Sequence, residues 1–253
     1  MKSDDPHRRR GLQRWPRVAI GVLPNDDPTI DHLSASERDA VAAVWSSRAA
    51  KELTTAQTFA MMAAGLVPRA VESEIAWMAA RAVGDEVRHA EICRHVASVY
   101  RGRVEPWPAA PILDAPDPGT AGPELTSTLL VVLHCCMNET IAGAFLRECQ
   151  HDAGGPLVRA ALRVLLRDEI DHARLGWAHL ASPRLSPDIR RAVEAEIETL
   201  LDMCRAVWLD ERQTEIDLPR GHGCSPLSEL PRIVDDAVRE LILPGLRHVG
   251  ILR

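Results

Sequence analysis

Aromatic side chains are scarce in this chain: one tyrosine, two phenylalanines and six tryptophans make up 4% of 253 residues. Sheet proteins fill their pleats with aromatic and β-branched residues. Here aromatics are few, runs of β-branched residues are scarce, and no strand-like alternation of polar and apolar residues stands out. C-x-x-C is missing too, which excludes a zinc ribbon or rubredoxin knuckle. Six cysteines are nevertheless present: Cys93, Cys135, Cys136, Cys149, Cys204 and Cys224. They read as free thiols of a reducing compartment, serving mainly as small core residues. The apolar segment "VAIGVL" is too short for a signal peptide, and no run reaches the ~20 residues needed to span a bilayer. A net charge of -6 is mild and gives no reason to expect nucleic-acid binding. The basic run "HRRRGLQRWPR" at residues 7–17 is local and reads as a solvated tail. The expectation is a soluble cytoplasmic protein that engages neither nucleic acid nor membrane.

What the chain does have is a helical composition. Hydrophobic residues reach 46%, and alanine, leucine, arginine and glutamate dominate. Residues 1–33 carry no sustained period and are expected to be an irregular N-terminal tail. Ser34 and Glu37 then fit the Ser-x-x-Glu capping box, which opens a helix reaching about Leu66. A second helix is expected from Pro68 to about Tyr100. The proline-rich stretch 102–123 is a long connection. A third helix is expected from near Pro123 to "HDAGG", and a fourth from Pro156 to about residue 181. Two more follow, from Pro187 to about Glu215 and from Leu230 to Leu243. Two short-looped helix pairs joined by a crossover make a four-helix bundle. The expectation is one all-α domain over 34–253, with a core bundle at 34–181 and appended helices at 187–243.

The hexapeptide D-E-x-x-H-A is written twice, in "GDEVRHAE" and "RDEIDHAR". Residues three apart on a helix share a face, so Glu86 can point with His89, and Glu169 with His172, at one ion. A single E-x-x-H is weak, because it arises by chance on solvated helix faces. The surroundings of these two are apolar. The fourth helix reads Val158, Leu162, Leu165, Glu169, His172, Gly176 at heptad spacing, and the second reads Ile75, Ala82, Glu86, His89, Cys93, Val96. A charge at a bundle-core position costs several kcal/mol, roughly, unless it is paired or metal-bound. The other two stripes each carry one isolated charge: Glu52 among Trp45, Ala49, Ala56 and Phe59, and Glu139 among Leu129, Val132, Cys136, Gly143 and Leu146. Counted from the turns near residues 67 and 154, each lone glutamate lies level with the E-x-x-H of its neighbour to within about one helical turn.

One glutamate from each of two helices, with Glu-x-x-His from each of the other two, resembles the ferritin-like di-iron carboxylate superfamily over about residues 34–181. The resemblance implies a ferritin-like fold with one long crossover. It also implies a dinuclear metal site on Glu52, Glu86, His89, Glu139, Glu169 and His172, with no catalytic side chain beyond the ligands. Two iron ions are implied; manganese or a mixed pair suits the same donors. Asp85 would hold the ring of His172, and Asp168 that of His89, as outer partners. Arg88 matches the D-E-x-R-H form of the motif, while Asp171 departs from it. His134 and His179 are candidate extra ligands, but His179 lies one heptad beyond His172, about 10 Å along the helix, and reads as a channel or core histidine. The superfamily's radical-bearing reductases have a tyrosine one turn after the histidine; here that position is Cys93, so a stable tyrosyl radical is not expected.

The function implied is oxidation of a small organic substrate by O2 with an external electron donor. The alternatives are a ferroxidase or iron-storage protein, a rubrerythrin-like peroxidase lacking its rubredoxin module, and a metal-free structural bundle. A monomer or homodimer fits the oxidase reading; a shell fits storage.

Overall fold

The computed structural model of the chain describes residues 23–69, 71–210, 218–224 and 227–253, and no strand occurs among them. The long helices are α1 (Ala35–Leu66), α2 (Ser73–Arg101), α3 (Gly122–Asp152), α4 (Pro156–Ala181), α5 (Pro187–Trp208) and α6 (residues 230–248). The start of α1 follows from local chemistry. Ser34 Oγ accepts from the Glu37 amide at 3.3 Å, and Glu37 Oε2 accepts from the Ser34 amide at 2.7 Å. Both are amides that the first helical turn leaves without partners. Gly102 ends α2 in a left-handed conformation, φ 64°. The chain then crosses over α1, where Gln57 pins it: its amide donates to Pro111 O at 2.8 Å and its carbonyl accepts from Leu113 N at 3.0 Å.

Helix α4 begins at Pro156 and borrows its cap from the opposite end of the sequence. Asp27 Oδ2 accepts from the Leu157 amide at 3.1 Å. A Cβ on Gly155 would lie 1.9 Å from that oxygen, so only glycine fits there. Residues 28–32, within the stretch expected to be irregular, form a 3-10 turn, and Leu23 and Ile30 are buried in the core beside it. The basic run at residues 7–17 lies outside the described residues.

Three departures from the sequence expectation have physical causes. A π-helical segment, Val132–Asn138, sits in the middle of α3, immediately before Glu139. Helix α5 stops at Trp208 rather than near Glu215; the Trp208 indole donates to Asn138 Oδ1 at 3.1 Å and Leu209 leaves the helical region. Residues 211–217 lie outside the described residues. Helix α6 runs past Leu243 to His248 in spite of Pro244. A π segment, Val238–Ile242, shifts the hydrogen-bond register just before that proline, so its missing N–H falls in a first helical turn.

The packing is that of a helical bundle. Helices α1 and α2 form one hairpin, α3 and α4 another; α2 lies along α4, and α1 along the first part of α3. Helix α5 packs on the π segment and first turns of α3, and α6 on its second half. Surrounded in this way, α3 is apolar on nearly every side. By length and composition it could cross a membrane, which the sequence expectation had denied of every segment, yet half of its most apolar window is buried against other helices. Two apolar clusters flank the middle of the bundle: Trp45, Cys93, Leu162 and Leu165 on one side, Phe59, Met62, Ala82 and Leu175 on the other. The layer between them is polar.

Candidate metal centre

Glu86 and His89 are completely buried, and Glu139, Glu169 and His172 are buried almost as deeply. Each sits on the inner stripe of its helix, where the apolar residues of the same stripe hold it in the bundle axis. Ligand atoms of Glu52, Glu86, His89 and Glu169 lie within 4.8 Å of one another. The same holds for Glu86, Glu139, Glu169 and His172. The six residues picked out by their apolar surroundings are therefore brought together, in two overlapping sets that share Glu86 and Glu169.

The histidine rings are oriented alike. His89 Nδ1 faces Glu86 and Glu169, 3.4 Å from each, while its Nε2 lies 3.2 Å from Asp168 Oδ2. His172 Nδ1 lies 2.9 Å from both Glu86 and Glu169, and its Nε2 is 3.6 Å from Asp85 Oδ2. The aspartates cross between helices: Asp168 of α4 hydrogen-bonds the ring of His89 on α2, while Asp85 of α2 faces His172 of α4 from beyond hydrogen-bond reach, so that Nε2 is a further buried atom without a partner; α2 and α4 run antiparallel. Arg88 ties the crossing together, pairing with Asp85 at 2.8 Å and also with Asp168. Arg81 closes the other side, 3.1 Å from Asp85 and 3.8 Å from Asp171. The motif's Arg88 thus has a place in the geometry that the sequence alone left open, and Asp171 is the acidic end of the Arg81 contact.

His134 lies in the π segment, with Nε2 3.1 Å from Glu139 Oε1, but belongs to neither four-residue set. The Phe59 ring packs between it and His172. His179 is remote from this cluster and meets Thr128 at 3.3 Å. Cys93 Sγ is 3.9 Å from Glu52 Oε1. All six cysteines are free and buried. Tyr100 meets His222 Nδ1 at 2.6 Å.

The donors suit cations better than they suit one another. Both carboxylate oxygens of Glu86 and the Nδ1 of His89 are buried without an aligned hydrogen bond. His172 Nδ1 approaches Glu86 at 2.9 Å, yet the geometry is not that of a hydrogen bond. Such orphaned atoms are costly unless a further partner completes them. Proton affinities carry the same message. Burial pushes Glu52 well above the usual carboxylate range, and repulsion from Glu86 adds to it. Burial, then repulsion from Glu169, raises Glu139 to about 7. Burial opposes charging of the histidines, but the surrounding carboxylates outweigh it: His89 rises well above its ordinary value and His172 to about 12. Without an ion the centre must hold protons in place of positive charge. Two divalent cations would replace them, one in each set, with Glu86 and Glu169 between.

A cavity of about 490 Å³ opens onto this centre, with Glu139 and Glu169 in its lining. No family model, curated protein or solved structure matches the chain.

Proposed function

We propose that the chain is a non-haem di-iron oxidoreductase with a ferritin-like bundle, using O2 and an external electron donor to oxidise a small organic substrate. One observation carries the reading: the two four-residue donor sets that share Glu86 and Glu169. Glu52 and His89 would belong to one ion's ligands, Glu139 and His172 to the other's, with Glu86 and Glu169 available to both. Iron there would supply one-electron redox chemistry with O2; manganese, or a mixed pair, would be accepted by the same donors. The chain's own residues do the rest. Asp168 holds the His89 imidazole so that Nδ1 faces inward, and Asp85 faces the His172 ring from the opposite helix. Arg88 neutralises the two aspartates, so that the four glutamates remain free for the ions. The apolar layers above and below exclude water from the reacting centre.

The open cavity favours an organic substrate over the iron-handling and peroxidase alternatives, since neither needs a pocket of that volume lined by apolar side chains. The test is iron per chain after anaerobic Fe(II) loading and desalting, with O2 uptake then followed in the presence of a reductant. Two irons in the wild type and loss in Glu169→Ala support the reading. Absence of retained metal in both removes it. Assembly into a shell on gel filtration, with no reductant-dependent O2 uptake beyond iron oxidation, would transfer the protein to iron storage.

A further inference from the structure

The cavity beside the metal centre is shaped and charged for one kind of molecule. Its floor is the α3–α4 pair and its roof is α6. Gly245 lets the roof come close, because a Cβ there would lie 2.7 Å from the Trp177 ring. Gly143 opens the floor: a Cβ there would meet nothing nearer than Leu166 at 4.0 Å. The walls are apolar, and Ile170 and Leu241 expose 46% and 42% of their surface at its edges. Next to Glu139, the Thr140 hydroxyl is buried and has no partner.

The rim charges are paired, with one exception. Glu240 meets Arg239 at 3.1 Å, Asp236 meets Arg239 at 2.6 Å and Arg232 at 3.3 Å, and Glu148 meets Arg232 at 3.9 Å. Arg174 meets Asp171 at 2.8 Å. Arg147, exposed at the mouth of the cavity, has no ion-pair partner among the described residues. Glu139, Gly143 and Arg147 follow one another at intervals of four along α3, so they share a face that runs from the metal centre to the mouth. The axial distance from Glu139 to Arg147 is about 12 Å.

From these features we infer that the substrate is an amphipathic monocarboxylic acid. Its carboxylate pairs with Arg147, and its apolar body lies over Gly143 and Ile170 and reaches the metal centre. A guanidinium fork matches a carboxylate bidentately. Arg147 lies at the mouth and the lining between it and the metal centre is apolar, which fixes the orientation: head at the mouth, carbon chain inward. The inference rests on the di-iron reading for its chemistry but not for its binding.

The probe is a straight-chain acid series, butyrate to decanoate, with decanol and decylamine as controls. Binding is measured by calorimetry on the metal-free and the iron-loaded chain. The expected result is affinity rising about three- to four-fold per added methylene. Decanoate should bind far better than decanol or decylamine. Arg147→Ala should weaken decanoate about three- to five-fold, Arg147→Lys should restore part of that, and neither should change decanol. Gly143→Phe, checked for an unchanged circular dichroism spectrum, should abolish binding of all three by filling the cavity. Decanoate binding that ignores Arg147→Ala, or that survives Gly143→Phe, overturns the inference, as does equal binding of acid and alcohol. Arg147-dependent binding in a chain that never retains iron sinks the di-iron reading alone. Iron retention with no acid binding sinks this inference alone.

Discussion

Glu86 and Glu169 each belong to both donor sets, whereas Glu52 and Glu139 belong to one. The variants should separate accordingly. Glu86→Ala and Glu169→Ala should lose both ions, while Glu52→Ala and Glu139→Ala should keep up to one, as read by elemental analysis of the desalted protein. Uniform loss in all four would mean that the ions bind only as a pair. Arg88 supports a different outcome. Removing it leaves Asp85 and Asp168 buried beside each other without their shared cation. Because the guanidinium is 17% exposed, the cost of Arg88→Ala is set at about 2 kcal/mol, below the figure for a fully enclosed pair. Urea denaturation of the metal-free protein would measure it. The six inward-facing donors were legible in the sequence because a charge within an apolar stripe is expensive and needs a reason. The double tie of Arg88 was not, because nothing in the spacing of residues 88 and 168 says which rotamer bridges two helices.

Among the elements, the helix starts were written most clearly. Ser34 with Glu37, and Pro156, mark α1 and α4 by satisfying or omitting amides that a first turn leaves unpaired. The π segments left no such mark. A wide turn costs one residue of register and has no compositional signature, so Val132–Asn138 read as ordinary helix. The segment lies immediately before Glu139 and takes up one extra residue. Deleting Leu133 should restore the α-helical ladder with Glu139 still on its face, whereas inserting an alanine after Leu133 should turn Glu139 by about 100° relative to the first half of α3. Helical circular dichroism should be retained in both, with metal binding through Glu139 and His172 lost in the insertion alone; its loss in the deletion as well would show that the wide turn itself aims Glu139. The start of α4 gives a second element-level outcome. Gly155→Ala drives a methyl group into Asp27 and breaks the bond to Leu157 N. It should destabilise the fold by about 2 kcal/mol, combining a lost cap with overpacking, and lower the melting temperature.

For the whole molecule, the buried charges fix how stability responds to pH. In the metal-free protein, His89 and His172 are raised above the unfolded value of about 6.5, so their stabilisation is full below that pH and declines above it. Glu52 and Glu139 are raised as well, and their ionisation costs stability as pH climbs from about 4 through 7. Asp85, Glu86, Asp168 and Glu169 are lowered and act in the opposite sense, but only below about pH 4, where they would be protonated. The melting temperature of the metal-free chain should therefore fall between pH 6 and pH 9. Iron or manganese should reverse that slope, because ions displace the protons most easily when protons are scarce. A scan with and without chelator checks both signs; a metal-free melting temperature that rises toward pH 9 would contradict the charge assignment.

The crossing of aspartate and histidine between α2 and α4 also governs how the two halves of the chain depend on each other. Each half supplies one E-x-x-H pair, and each places an aspartate against the other's imidazole. Neither hairpin, α1–α2 or α3–α4, contains a complete donor set, since both sets need Glu86 and Glu169. On the di-iron reading, ion capture would be a census of assembly, registering only when both hairpins are present and in register. A chain severed in the crossover, near Ile112, should recover its ions when the two pieces are mixed, and neither piece should hold any by itself.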